Sequence, residues 1–118
     1  MSNNTFCHIE ISAKDAKATA EFYKNLFGWK TSLDMGEDYV LFMTESGLGG
    51  AISKEENFTI GNNIINYIQV DDIDAYLQKA TSLGGGKVKD KTEIPNHGWY
   101  GHGKDIDGNI FGLFTPKE

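Results

Sequence analysis

What this chain is short of narrows its possibilities first. It has one cysteine, Cys7, in 118 residues, so no internal disulfide can form, and such thiol usage fits a reducing compartment. Histidine occurs three times and proline twice. No apolar run approaches the roughly 18–20 residues that cross a bilayer, so no membrane span is expected. The opening "MSNNTF" has neither the positive region nor the apolar run of a signal peptide. A basic excess is missing too: 11 Lys+Arg against 17 Asp+Glu leave a net charge of -6. That balance argues against nucleic acid or an anionic membrane as partner, and no basic patch interleaves with aromatics. A cytoplasmic address is the expectation. The length suits one domain, or two half-domains sharing a core, that buries itself without staples.

What is present begins with glycine, 14 residues against 2 prolines, which points to many tight turns between short strands. "FCHIEIS" (6–12) alternates as a strand does. It sends Phe6, His8, Glu10 and Ser12 to one face and Cys7, Ile9 and Ile11 to the other. His8 and Glu10 are then about 7 Å apart along an extended chain. Cys7, on the greasy side, reads as a small buried hydrophobe. A helical pattern follows, with Ala16, Ala20, Tyr23 and Phe27 at steps of four, three and four, widened by Phe22 and Leu26. Gly28 is placed to end it. Strand candidates cover 29–33, 39–44 and 48–53.

The second half replays the order. "IINYIQV" is a strand, and "DDIDAYLQKATSLGG" is a helix with Ile73, Tyr76, Leu77, Ala80 and Leu83 on one stripe. Asp71 or Asp72 suits its N-cap. "GKVKDK" and "GWYGHGKD" are strand candidates, "DIDGN" a turn, and "IFGLFT" the last strand. An offset of 57 pairs Ile11 with Ile68, Asp15 with Asp72, Ala18 with Ala75, Leu26 with Leu83, Gly28 with Gly85 and Lys30 with Lys87. That is the trace an internal duplication leaves. The expected organisation is a first module over 5–53, a polar linker over 54–63 and a second module over 64–116.

The fold class this predicts is α+β: two βαβββ modules forming a cupped mixed sheet with the helices outside. Cys7, Ile9 and Ile11 with Ile64, Ile68 and Val70 supply the apolar face that the helices cover. The other face collects Phe6, His8 and Glu10 and, by the repeat, Ile65, Tyr67 and Gln69. A concave surface of mixed aromatic, apolar and polar residues suits a small molecule.

The strand "HIEIS" followed by "AEFYKNLFGW", then "YIQVDDIDA", "LGGGKV" and the terminal "DIDGNIFGLF", resembles the vicinal oxygen chelate superfamily. This is the group of glyoxalase I, bleomycin-resistance proteins, fosfomycin-resistance enzymes and extradiol dioxygenases. The resemblance covers nearly the whole chain. It implies paired βαβββ modules, often assembled as homodimers, with a pocket inside each cupped sheet. It also implies a metal held by side chains from the first and last strand of each module. His8 stands at the first such position, but Ile65 and Gly112 stand at two others, and "LGGAIS" offers no donor. A catalytic zinc needs three protein ligands, so no residue is assigned to a metal. A divalent ion remains possible if Glu55, Glu56, His97 or His102 converges with His8. "LGGAIS" and "EIPNHGWY" further resemble a metal-poor branch whose members often have no assigned reaction.

The expected ligand-binding residues are His8, Glu10, Tyr67 and Gln69, with Trp99 and His102 at the edge. Glu10 is a general base if desolvated beside His8, and otherwise a solvated carboxylate at the rim. "NHGWYGHGKD" (96–105) is dense in rings. As a strand it puts Trp99 on one face and Tyr100 and His102 on the other, and which face looks inward stays open. "GLGG" and "LGGGK" lack phosphate-loop spacing and read as turns. The function expected is binding of a small, partly apolar molecule without a complete metal site. The alternatives are a divalent-metal-dependent lyase or isomerase of the glyoxalase I type and a drug-sequestering resistance protein.

Overall fold

The computed structural model describes residues 3–61 and 63–118. The chain divides into two compact units, Met1–Phe58 and Thr59–Glu118. The first runs β1 (Ile9–Ala13), α1 (Ala16–Phe27), β2 (Lys30–Ser32), β3 (Tyr39–Met43) and β4 (Gly49–Lys54). The second runs β5 (Tyr67–Gln69), α2 (Ile73–Ser82), β6 (Gly86–Ile94), β7 (Gly98–Lys104) and β8 (Ile110–Pro116). Each is a βαβββ module with a four-stranded mixed sheet, ordered β1-β4-β3-β2 and β5-β8-β7-β6. The first and last strands of each module run parallel and the other pairs antiparallel. The α+β class of two βαβββ modules is therefore the one observed.

In the first unit α1 starts where the Asp15 carboxylate accepts the Ala18 N–H at 3.1 Å, satisfying a helix-end donor. It stops at Gly28, whose left-handed φ of 75° sends its N–H back to the Lys24 carbonyl at 2.8 Å. The stripe that the 3.6-residue period places on one side, with Ala16, Ala20, Tyr23 and Leu26, is buried along with Phe22. It faces Val40, Phe42 and Ile52, none more than 5% exposed. Trp29 stacks between Tyr23 at 5.0 Å and Phe42 at 4.6 Å, a ring stack that ties the helix end to β3.

In the second unit Asp72 caps α2 by accepting the Ala75 N–H at 3.0 Å. The offset pairs Gly28 with Gly85, but the left-handed residue after α2 is Gly84, with φ of 99°. By that offset α2 ends two residues earlier than α1, at Ser82, and Leu83 stands between it and the left-handed Gly84. Ile73, Leu77 and Ala80 are buried, as are Val70, Phe111 and Leu113. Glycines on β7 allow the close approach, since a Cβ at Gly101 would come within 3.1 Å of the Ile73 Cγ2.

Two strand boundaries differ from the reading by alternation. β1 begins at Ile9, so Phe6 is 90% exposed and Cys7 is exposed, not part of the core. β4 offers Gly50 as the partner of Ile9 and the pairing ends there, so the residues before Ile9 have no ladder to join. β5 likewise holds three residues rather than all of "IINYIQV". Ile64, expected to face the helix, is 84% exposed.

Candidate functional site

Side chains alternate across a strand, so the pairing register decides which residues share a face. In the first unit Glu10 pairs with Ala51, which pairs with Leu41, and Ser12 pairs with Ser53, which pairs with Tyr39. These positions lie opposite the helix-facing Val40, Phe42 and Ile52. Here Tyr39 joins the expected pair. Its hydroxyl donates to Glu10 Oε2 at 2.8 Å and lies 3.2 Å from His8 Nε2. His8 and Glu10 are 3.6 Å apart, and both side chains are exposed. The bond to Glu10, then burial, then the carboxylate charge push the Tyr39 phenol above its usual pKa, so it stays protonated at neutral pH. His8 precedes β1 and reaches this cluster from the connecting chain.

In the second unit Tyr67 pairs with Gly112, which pairs with His102, and Gln69 pairs with Phe114, which pairs with Tyr100. The Tyr67 hydroxyl lies 2.7 Å from His102 Nε2. The rings form a three-membered cluster, with centroids at 5.6 Å for Tyr67–His102, 5.5 Å for Tyr100–His102 and 6.5 Å for Tyr67–Tyr100. Lys89 is in register with His102, and its Nζ sits 5.7 Å from the Tyr100 ring centroid. Burial, then Tyr100, push the Tyr67 phenol up. Burial, then the Lys89 charge, push the His102 imidazole below its usual value. Both groups are therefore neutral at pH 7. The phenol O–H donates to Nε2 when the imidazole proton is on Nδ1, and Nε2–H donates to the phenol oxygen in the other tautomer.

Gly112 makes the dyad possible. A Cβ there would fall 2.4 Å from Tyr67 Cδ1 and 2.8 Å from its Cγ, so the ring lies against the bare Cα. Gln69 is exposed on the same face. Trp99 is not on it. It pairs with Thr115 and Glu93 on the side of Gly101 and Gly103, and Lys91 Nζ lies 5.3 Å from its ring. The structure thus brings His8 to Glu10 and Tyr67 to His102, and separates Trp99 from His102.

Tyr39 and Lys89 were missed by sequence reasoning, and Tyr100, read as sharing a face with His102, was not among the expected ligand-binding residues. Tyr39 had a signal in the alternation of "YVLFM", but only the β3–β4 register aims it at Glu10. Lys89 follows a break in register between Lys87 and Lys89, which no periodicity announces.

Among the described residues no three His, Cys, Asp or Glu side chains converge as a metal-holding group. The first unit offers two metal-type donors, His8 and Glu10, joined by a protonated phenol. The second offers His102, whose Nε2 already meets Tyr67. Glu55 accepts from the Ser53 hydroxyl at 3.0 Å, and His97 is exposed in the turn between β6 and β7. Neither unit by itself fits the three-ligand requirement of a catalytic ion. A surface depression lined by Gly28, Lys30, Met43, Thr44, Glu45 and Gly47 includes no member of either cluster. Among the described residues no helix is long and apolar enough to cross a membrane.

The profile of the Glyoxalase/Bleomycin resistance protein/Dioxygenase superfamily matches residues 5–113. The fosfomycin resistance protein FosX from Listeria monocytogenes superposes with a TM-score of 0.80 at 19% identity, covering 98% of this chain and 96% of its own. A variant of that FosX complexed with Mn(II) and 1S,2S-dihydroxypropylphosphonic acid gives 0.81 at 18%, with 98% and 95% covered. A glyoxalase/bleomycin resistance protein/dioxygenase family enzyme from Burkholderia phytofirmans PsJN gives 0.78 at 17%, with 93% and 97% covered. No curated protein matches the sequence.

Proposed function

We propose, from the premise that this chain belongs to the glyoxalase/bleomycin resistance protein/dioxygenase superfamily, that it binds a small, partly apolar molecule on the helix-free faces of its sheets. The observation that carries this reading is the second unit's open face. There Tyr67, Tyr100 and His102 form a ring cluster with one internal hydrogen bond, and Gln69 stands beside it. Rings supply apolar area, while an imidazole N–H, a phenol and an amide supply orientation. His8, Glu10 and Tyr39 form the polar counterpart in the first unit. The binding unit is the module, 5–53 or 64–116, with 54–63 as linker, and the protein acts as a cytoplasmic homodimer. The single cysteine and the superfamily resemblance support that setting.

Binding in this reading needs no protein-held metal. Chelator-treated protein, titrated with a panel of small aromatic compounds and followed by backbone amide NMR, is expected to shift resonances around Tyr67, Gln69, Tyr100 and His102. Shifts that appear only after Ni²⁺, Zn²⁺ or Mn²⁺ is restored would refute it. The His8–Glu10 pair at 3.6 Å favours a second reading, a divalent-metal-dependent lyase or isomerase. Stoichiometric metal retained after dialysis, and lost in His8→Ala, would establish that one instead.

A further inference from the structure

The two units differ in charge at one equivalent place. The offset of 57 matches Glu10 with Tyr67, so the first unit's face has a carboxylate where the second has a phenol. The strand positions in register around Tyr67, Tyr100 and His102 are Gly112, Phe114, Gln69, Thr92 and Lys89. None of these is an acid. Asp90, next to Lys89 in sequence, is engaged by Lys87 at 2.5 Å. Among the described residues no carboxylate forms an ion pair with Lys89. It is the cation over the Tyr100 ring at 5.7 Å. All 11 basic residues of the chain are lysines, so an anion here meets a point charge and not a planar guanidinium fork.

Resting on the reading above, we propose that the face built by Tyr67, Tyr100, His102 and Lys89 binds a small planar aromatic monoanion, with a carboxylate as the representative charge. The rings give a platform for edge-on or offset stacking. The Lys89 ammonium, on a flexible stem, meets the carboxylate in a charge-assisted hydrogen bond. His102 Nδ1, free of the bond at Nε2, is the second donor in the tautomer that accepts the Tyr67 hydroxyl. One unpaired cation beside neutral rings matches one negative charge.

The test uses the whole chain and two probes of similar shape, benzoate and neutral benzamide, each titrated while amide resonances are followed. Benzoate is expected to bind roughly tenfold tighter at this face, the scale of one charge-assisted contact. Lys89→Gln should erase that difference, bringing benzoate down to the affinity of benzamide. Lys91→Gln, whose ammonium lies over Trp99 on the other face, should preserve it. Equal binding of the two probes at this face would overturn the anion preference while leaving small-molecule binding in place. An intact benzoate preference in Lys89→Gln would overturn it as well. If neither probe shifts resonances at this face, the binding reading falls and the anion preference with it. Both variants change exposed side chains, and their amide spectra report whether the fold is retained.

Discussion

Replacing Gly112 by alanine tests how the second unit holds its ring cluster. The new Cβ would stand 2.4, 2.5 and 2.8 Å from Cδ1, Cε1 and Cγ of Tyr67. Carbon atoms rest at about 3.5–4.0 Å, so the ring must withdraw by on the order of 1 Å. These atoms are the body of the ring and not a flexible tip, so the displacement carries the hydroxyl away from His102. A donor–acceptor separation of 2.7 Å then passes the roughly 3.5 Å at which a hydrogen bond is lost. Gly112 has no left-handed backbone angle, so alanine fits the strand and gains about 0.4–1 kcal/mol through the unfolded state. The lost bond costs about 0.5–1.5 kcal/mol. The two nearly cancel, and global stability should move by less than about 1 kcal/mol in urea denaturation. The local effect is the diagnostic one. Burial is the main cause of the depressed His102 pKa, so withdrawal of Tyr67 should let it rise toward the ordinary imidazole value, read by NMR titration of the ring. An unchanged His102 titration in a well-folded Gly112→Ala protein would refute the reasoning. The same substitution made on Tyr67→Ala should no longer affect His102, because the obstructing ring is gone.

Other outcomes follow from the same structure. Leu113, fully buried beneath α2, should cost about 2–5 kcal/mol when truncated to alanine, read as a lower urea midpoint at unchanged slope. His102 should make stability pH-dependent. Its folded pKa lies below the unfolded value near 6.5, so between the two the unfolded chain binds more protons and stability rises with pH. That contribution is present above about 6.5 and is lost as pH falls toward the folded pKa. Lys89, Tyr67 and Tyr100 are the charged or titratable groups beside it, and His102→Gln should flatten the slope in that window. In the first unit, Glu10→Gln should bring the Tyr39 phenol pKa down toward its usual value, because the Glu10 bond is the leading cause of its rise. Ultraviolet titration of tyrosinate would show no change if the Tyr39–Glu10 contact were absent in solution.

How much of this was legible beforehand depends on the range over which each signal acts. The helices were readable because caps and the 3.6-residue period are written within a few residues. Asp15, Asp72 and Gly28 each act on backbone groups no more than four positions away. The βαβββ repeat was readable for the same reason, twice over. Strand ends were less so: Phe6 and Cys7 continue the alternation of β1 perfectly well, yet no partner strand extends far enough to pair with them.

The candidate site divides along the same line. That His8 and Glu10 share a neighbourhood follows from a two-residue spacing. That Tyr39 bridges them and that His102 reaches Tyr67 across Gly112 depend on alignment between segments 31 to 45 residues apart in sequence (His8–Tyr39, Tyr67–His102 and Tyr67–Gly112), and that Trp99 turns to the helix side depends on the β6–β7–β8 register. Register is chosen by the packing of whole faces and by irregularities such as the break between Lys87 and Lys89. The sequence by itself determined the modules and the residues available to a site. The tertiary structure decided which of them meet, because a hydrogen bond between strands is a property of their alignment and not of either strand.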